Sequence, residues 1–256
     1  EEIVEVGRRL YTKDMIAAIL SEEMHTLKNE ENFNNQVGVP LTLLNLSRKH
    51  KAAVIEMAMQ KLGEIDELAA IVRPTIAVIT NIGESHLEFL KTRDNIARAK
   101  AEIFRYLQKE NYAVINQDDE YCEHLKSKIK NQKAKIMTFG IIEKADIGPV
   151  EMRGINLPIA GEHNIYNALA AIAVARLLKI KGPSIKRGLM NFHPSSKRME
   201  VLNLQDGTKI INDTYNASPQ SVAAMLKTLA TLPGRKIAVL GEMLELGGAA
   251  KAAHRR

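Results

Sequence analysis

Short, β-branched apolar runs alternate with amphipathic helical stretches along most of this chain, and that rhythm is the strongest limit on its fold. The runs are Ile3 to Val6, Ala52 to Ile55, Thr75 to Thr80, Ala113 to Ile115 and Ala134 to Thr138. Continuous apolar runs of this kind read as strands covered on both faces. Between them lie helical patterns at Thr12 to Met24, Gly63 to Val72, Asp94 to Phe104 and Asp119 to Lys128, with a short helix opened by Pro40 and running to Leu46. The alternation predicts an α/β fold, a mainly parallel sheet with flanking helices and right-handed crossovers. In such sheets ligands bind off the carboxyl ends of the strands.

The stretch from Arg73 to Phe104 concentrates the chemistry. Thr75 to Thr80 is the strand, and Asn81, Gly83 and His86 follow just past its end. Asp94 is expected to cap a helix whose apolar face is Ile96, Ala99, Ile103 and Phe104. Lys100 lies one turn after Ile96, close to that face. Glu56 closes another apolar strand, where a carboxylate needs an ionic partner or a metal. A salt-bridged structural role and a metal-ligating one both suit it.

Other segments add polar groups. Gly7-Arg8-Arg9-Leu10 leads into a helix beginning Thr12-Lys13-Asp14, the position of a phosphate loop, yet no Gly-x-x-x-x-Gly-Lys-Ser/Thr is present. Asn32 to Pro40 holds amide side chains suited to turn formation or to a polar ligand. Gly161-Glu162-His163-Asn164-Ile165-Tyr166-Asn167 opens an alanine-rich helix reaching Ile180, with Asn164 and Asn167 on one face. Capping and ligand contact are both open to this cluster. Phe139 to Pro158 reads as loops and short edge strands. After a helix within Pro183 to Pro194, a boundary near Ser195-Ser196 divides the chain into residues 1–195 and 196–256. The second part starts a new α/β unit: a hairpin around Asp206-Gly207, a helix from Pro219 to Leu232 and a strand from Ile237 to Leu240.

Composition excludes several classes. The 256 residues are 45% hydrophobic, enough for one large core or two smaller ones, and with no tryptophan the core is aliphatic. The longest apolar stretch, Ala168 to Ala175, is too short for a bilayer span. The acidic amino-terminal residues are unlike a secretory leader, and the lone Cys122 fits a reducing, cytoplasmic setting. The net charge of +6 is interleaved with acids rather than striped, which reads as a solvated surface and not as nucleic-acid binding.

Seven blocks in order carry a resemblance: Asn32 to Leu44, Glu56-Met57, Thr80 to Glu88, Ala97 to Ile103, Gly161 to Ala171, Asp213 to Ser221 and Val239 to Gly247. Together they resemble the Mur ligase family, and the Asp-x-Tyr-Asn-Ala-x-Pro block favours the branch that adds D-alanyl-D-alanine. The resemblance implies a P-loop-NTPase-like central domain, here without its phosphate loop, plus the start of a Rossmann-like carboxyl-terminal domain. It implies ATP and magnesium as cofactors, and a UDP-muramoyl-peptide and D-alanyl-D-alanine as partners of a monomeric, cytoplasmic ligase. By match, Glu56 and His86 would hold one magnesium ion, and Lys100, if carbamylated, a second. Thr12, Lys13, Asn81, His163, Asn164, Arg198 and Asp213 would serve the nucleotide. Asn34, Asn35, Tyr215 and Asn216 would face the substrate. Ala58 stands where the family has glycine, and Ser218 where it has asparagine. A non-catalytic remnant of the same fold is the alternative; a folate polyglutamate ligase is disfavoured by the amide loop at Asn32 to Asn35.

Overall fold

A computed structural model describes residues 2–7, 11–30, 32–84, 86–130, 133–159, 161–193, 200–214 and 217–255. In chain order the first elements are β1 (Glu2–Gly7), α1 (Thr12–Ser21), β2 (Thr26–Lys28), α2 (Gly38–Leu43), β3 (Ala52–Met57), α3 (Glu64–Val72) and β4 (Ile76–Ile79). Then come α4 (Leu87–Leu90), α5 (Arg93–Ala101), β5 (Tyr112–Asn116), α6 (Cys122–Lys130), β6 (Lys135–Phe139), α7 (Glu162–Leu177) and α8 (Gly182–Met190). The last are β7 (Glu200–Asn203), β8 (Lys209–Asn212), α9 (Pro219–Thr231) and α10 (Ala250–Ala253).

Strands β1 to β6 form one parallel sheet in the order β2-β3-β1-β4-β5-β6. The chain leaves β1 for the β2 edge, returns through β3, and crosses over β1 to reach β4. The carboxyl ends of β3 and β4 therefore flank that of β1, at the point where the strand order reverses.

Side-chain alternation divides the core into two layers. Ala52 and Val54 of β3, Ile76 and Val78 of β4 and Val114 of β5 pack with α1, α7 and α8. Ala53, Ile55, Met57, Ala77, Ile79, Ala113 and Ile115 pack with α3, α5 and α6 on the other side. Helix α7 is buried along Ala168 to Ala175, and its alanines let α1 lie close. Gly188 of α8 serves the same end, since a Cβ there would come 2.5 Å from Ile19 Cα on α1.

The structure corrects some sequence expectations. Thr92, not Asp94, caps α5: its hydroxyl accepts the Asn95 amide at 3.2 Å, while Asp94 lies within the first turn. The helix also tightens to a 3-10 turn at Glu102–Tyr106, so Ile103 and Phe104 lie beyond its α-helical part. Helix α2 starts at Gly38, before Pro40, because Asn35 Oδ1 accepts the amides of Val37 and Gly38. The edge strand β2 was not anticipated; its short, half-polar sequence carries little periodic signal. Ile237 to Leu240 is not a strand. Val239 is 93% exposed there, and among the described residues no strand pairs with this segment. The Asp206-Gly207 hairpin does form, antiparallel, with Gly207 at φ +85°.

Candidate functional site

Several of the anticipated residues lie at the carboxyl ends of β3 and β4 and at the starts of α1 and α7. Glu56 is the penultimate residue of β3, opposite Val6 of β1. Alternation puts it on the same side as Ala52 and Val54, the side that packs against α1 and α7. It is 5% exposed, and its Oε1 accepts the Asn34 side-chain amide at 2.9 Å. Asn34 is itself fixed, since its carbonyl accepts the Ala58 amide at 2.7 Å.

What holds the Glu56 backbone is a residue the sequence reading passed over. Strand β2 ends at Lys28, and the side chain of the next residue, Asn29, takes over the ladder. Asn29 Oδ1 accepts the Glu56 amide at 2.9 Å, and its Nδ2 donates to the Glu56 carbonyl at 2.9 Å and to Phe33 O at 2.8 Å. The Asn29 backbone carbonyl accepts Lys13 Nζ at 2.7 Å. Lys13 also lies 3.7 Å from Asp14. Thr12 donates to Asn167 Oδ1 at 3.0 Å, and Asn167 donates to Asn164 Oδ1 at 3.1 Å, tying the starts of α1 and α7 into one buried chain. Asn164 is therefore not the cap of α7; Gly161 occupies that position, with φ +111° and the His163 ring packed against it.

On the other side of β1, the turn after β4 is fixed peptide by peptide. Asn116 Nδ2 donates to Thr80 O at 3.1 Å, and Lys100 Nζ donates to Asn81 O at 2.7 Å. Arg93 Nη2 donates to Ile82 O at 2.8 Å, while Asp119 Oδ2 accepts the Ile82 amide at 2.7 Å. Lys100 thus stands at the end of β4, with Glu56 at the end of β3. His86 is 5% exposed, at φ +66° ahead of α4, and its Nδ1 lies 2.6 Å from Glu245 Oε2.

A second carboxylate, Asp118, shapes the loop after β6. The amides of Ile141, Ile142 and Glu143 and the Tyr166 hydroxyl all donate to it. Burial pushes its pKa up, but the donors at Ile142, Glu143, Ile141 and Tyr166 outweigh this and hold it below the ordinary Asp range. Glu102 accepts the Gly63 and Asp66 amides at the start of α3, and burial holds its pKa above the usual range. Arg198, Tyr215 and Asn216 lie outside the described residues. Asp213 follows β8 in the carboxyl-terminal part.

Among the described residues, no three His, Cys, Asp or Glu side chains converge to hold a metal. Magnesium does not need such a cage, since it is usually bound by one or two carboxylates, waters and substrate phosphates. The buried oxygen donor Glu56 fits that chemistry; an imidazole such as His86 suits it less well. No helix among the described residues is long and apolar enough to cross a membrane.

The chain matches the model of the Mur ligase middle domain over residues 12–175 and that of the Mur ligase glutamate ligase domain over residues 197–256. It is 37% identical to the UDP-N-acetylmuramoyl-tripeptide–D-alanyl-D-alanine ligase of Bacillus subtilis, over 95% of this chain and 56% of the relative. Its fold is similar to MurF from Acinetobacter baumannii, with TM-score 0.92 and 33% identity, over 99% of this chain and 59% of that one. It is also similar to MurF ligase from Thermotoga maritima in complex with ADP, with TM-score 0.86 and 27% identity, over 99% of this chain and 62% of that one. The chain thus spans little more than half the length of these relatives.

Proposed function

The chain belongs to the Mur ligase family, and on that premise we propose that it supplies the ATPase-like part, residues 1–195, and the start of the carboxyl-terminal part, 196–256, of an ATP-dependent amide ligase. The reaction is the one named for the Bacillus relative, joining D-alanyl-D-alanine to a UDP-N-acetylmuramoyl-tripeptide, as in peptidoglycan synthesis. The setting is a cytoplasmic monomer.

A carboxylate oxygen of the tripeptide attacks the terminal phosphorus of ATP, and ADP leaves. The dipeptide amine then attacks the acyl carbon, the carbon–oxygen bond to phosphate breaks, and the amine loses a proton. Such chemistry asks a protein for position and charge neutralisation. Magnesium, when bound, supplies the neutralisation of phosphate charge. Glu56 and His86 would hold one ion, and Lys100, once carbamylated, would offer oxygen instead of ammonium to a second. Asn81, His163, Asn164, Thr12, Lys13, Arg198 and Asp213 would serve the nucleotide; Asn34, Asn35, Tyr215 and Asn216 would orient the peptide substrates.

The observation that carries this reading is the placement of Glu56 and Lys100 at the ends of β3 and β4, on either side of β1. The test is ATP-dependent phosphate release by the full-length enzyme, expected only with both the tripeptide and D-alanyl-D-alanine present. Phosphate release that ignores the dipeptide would reject it.

A second reading, a non-catalytic remnant, is favoured by one observation. Lys13 is 3% exposed and its Nζ donates to the Asn29 carbonyl, inside the protein. Titration calorimetry of this chain with Mg-ATP separates the two: a Kd tighter than about 1 mM, roughly −4 kcal/mol, supports the ligase reading.

A further inference from the structure

The loop at residues 243–247 holds the His86 turn at several points. Glu245 Oε2 lies 2.6 Å from His86 Nδ1, an ion pair whenever the imidazole is protonated. The Glu245 carbonyl accepts the Glu88 amide at 3.1 Å, so one residue takes hold of the turn by side chain and backbone. Its Oε1 lies 3.5 Å from Gln60 Nε2, on the segment that follows β3. Gly247, at φ +52°, approaches so closely that a Cβ would come 3.1 Å from Glu88 Cα.

The loop is built for this contact. Met243 and Leu246 are buried, whereas Leu244 between them is 68% exposed. Glu245 itself holds φ +61°, a conformation that non-glycine residues rarely adopt. The Met243 amide donates to His254 Nε2 at 2.9 Å, so the residue just after α10 anchors the loop from behind.

We propose that Glu245 is a positioning residue for His86: the carboxyl-terminal part of the chain sets the orientation of that imidazole at the metal-bearing rim. Truncating Glu245 loosens the turn from His86 to Leu90 and weakens the site's hold on magnesium. The metal consequence rests on the ligase reading; the mechanical one does not.

The test uses the full-length enzyme with Glu245→Ala, Glu245→Gln and Gly247→Ala, and Leu244→Ala as control. Amide exchange is followed without nucleotide or metal. Glu245→Ala and Gly247→Ala should speed exchange at Glu88, Phe89 and Leu90 roughly tenfold, a factor worth about 1.4 kcal/mol. Glu245→Gln keeps an acceptor oxygen and should fall between them and wild type, and Leu244→Ala should match wild type. The magnesium concentration for half-maximal activity should rise several-fold in Glu245→Ala, more than kcat falls. Unchanged exchange at Glu88 to Leu90 in Glu245→Ala overturns the proposal, as does an equal rise in exchange in Leu244→Ala. If wild type shows no ligase activity, the function is wrong, and the exchange result still decides whether Glu245 holds the turn.

Discussion

Replacing Asn29 by alanine should unfasten the end of β3. The side chain is fully buried and donates to the carbonyls of Glu56 and Phe33 while accepting the Glu56 amide. Alanine removes all of these bonds. Phe33 is 48% exposed, so water can reach its neighbourhood, but Glu56 is 5% exposed. Its amide and carbonyl are therefore left with little access to solvent. An unsatisfied buried backbone group costs about 1–3 kcal/mol, so the two together should cost about 3 kcal/mol after partial relaxation. For a chain of this size that lowers Tm by roughly 6–12 °C. The assay is urea unfolding of wild type and variant, read as a shift of midpoint at constant slope. Asn29→Asp should do similar damage, because a carboxylate cannot donate to the two carbonyls and brings charge close to Glu56. A loss below about 1 kcal/mol in Asn29→Ala would show that this side chain does not continue the β2 ladder.

Other perturbations have equally definite outcomes. Lys100→Ala in the full-length enzyme should nearly abolish turnover, with added bicarbonate failing to restore it; near-normal rates would remove Lys100 from the site. His86→Ala should raise the magnesium requirement more than it lowers Tm, and the reverse pattern would assign His86 a purely structural role. Asp118→Asn should destabilise at neutral pH by about 1–2 kcal/mol, since an amide is a poorer acceptor for its amide and hydroxyl donors. Because the folded carboxyl titrates below its unfolded value near 3.9, its contribution is present above that pH and lost as pH falls further. The gap between wild type and variant in chemical denaturation should therefore narrow below about pH 4. Gly188→Ala should cost about 1–3 kcal/mol by forcing α8 away from α1, despite the better helix former.

The sequence by itself determined the alternation of strands β1, β3, β4, β5 and β6 with helices, because each of those strands is a local apolar run; the half-polar edge strand β2 carries no such signal. It also marked Glu56, Asn81 and Lys100, since polar groups at the ends of apolar strands and on a facing helix are visible within a few residues. Only the tertiary structure decided how those groups are held. Asn29 reaches Glu56 across 27 positions, Asn116 reaches Thr80 across 36, and Asp119 reaches Ile82 across 37. Each is an ordinary polar residue in one dimension, at or just beyond the end of a strand, and its role appears when neighbouring strand ends come together. The Glu245 contact with His86 is the extreme case, because its partners lie the furthest apart in sequence of these pairs. Ile237 to Leu240 shows the converse. Its residues have strand propensity, but a strand also needs a neighbour's amides and carbonyls, and no local pattern can supply them.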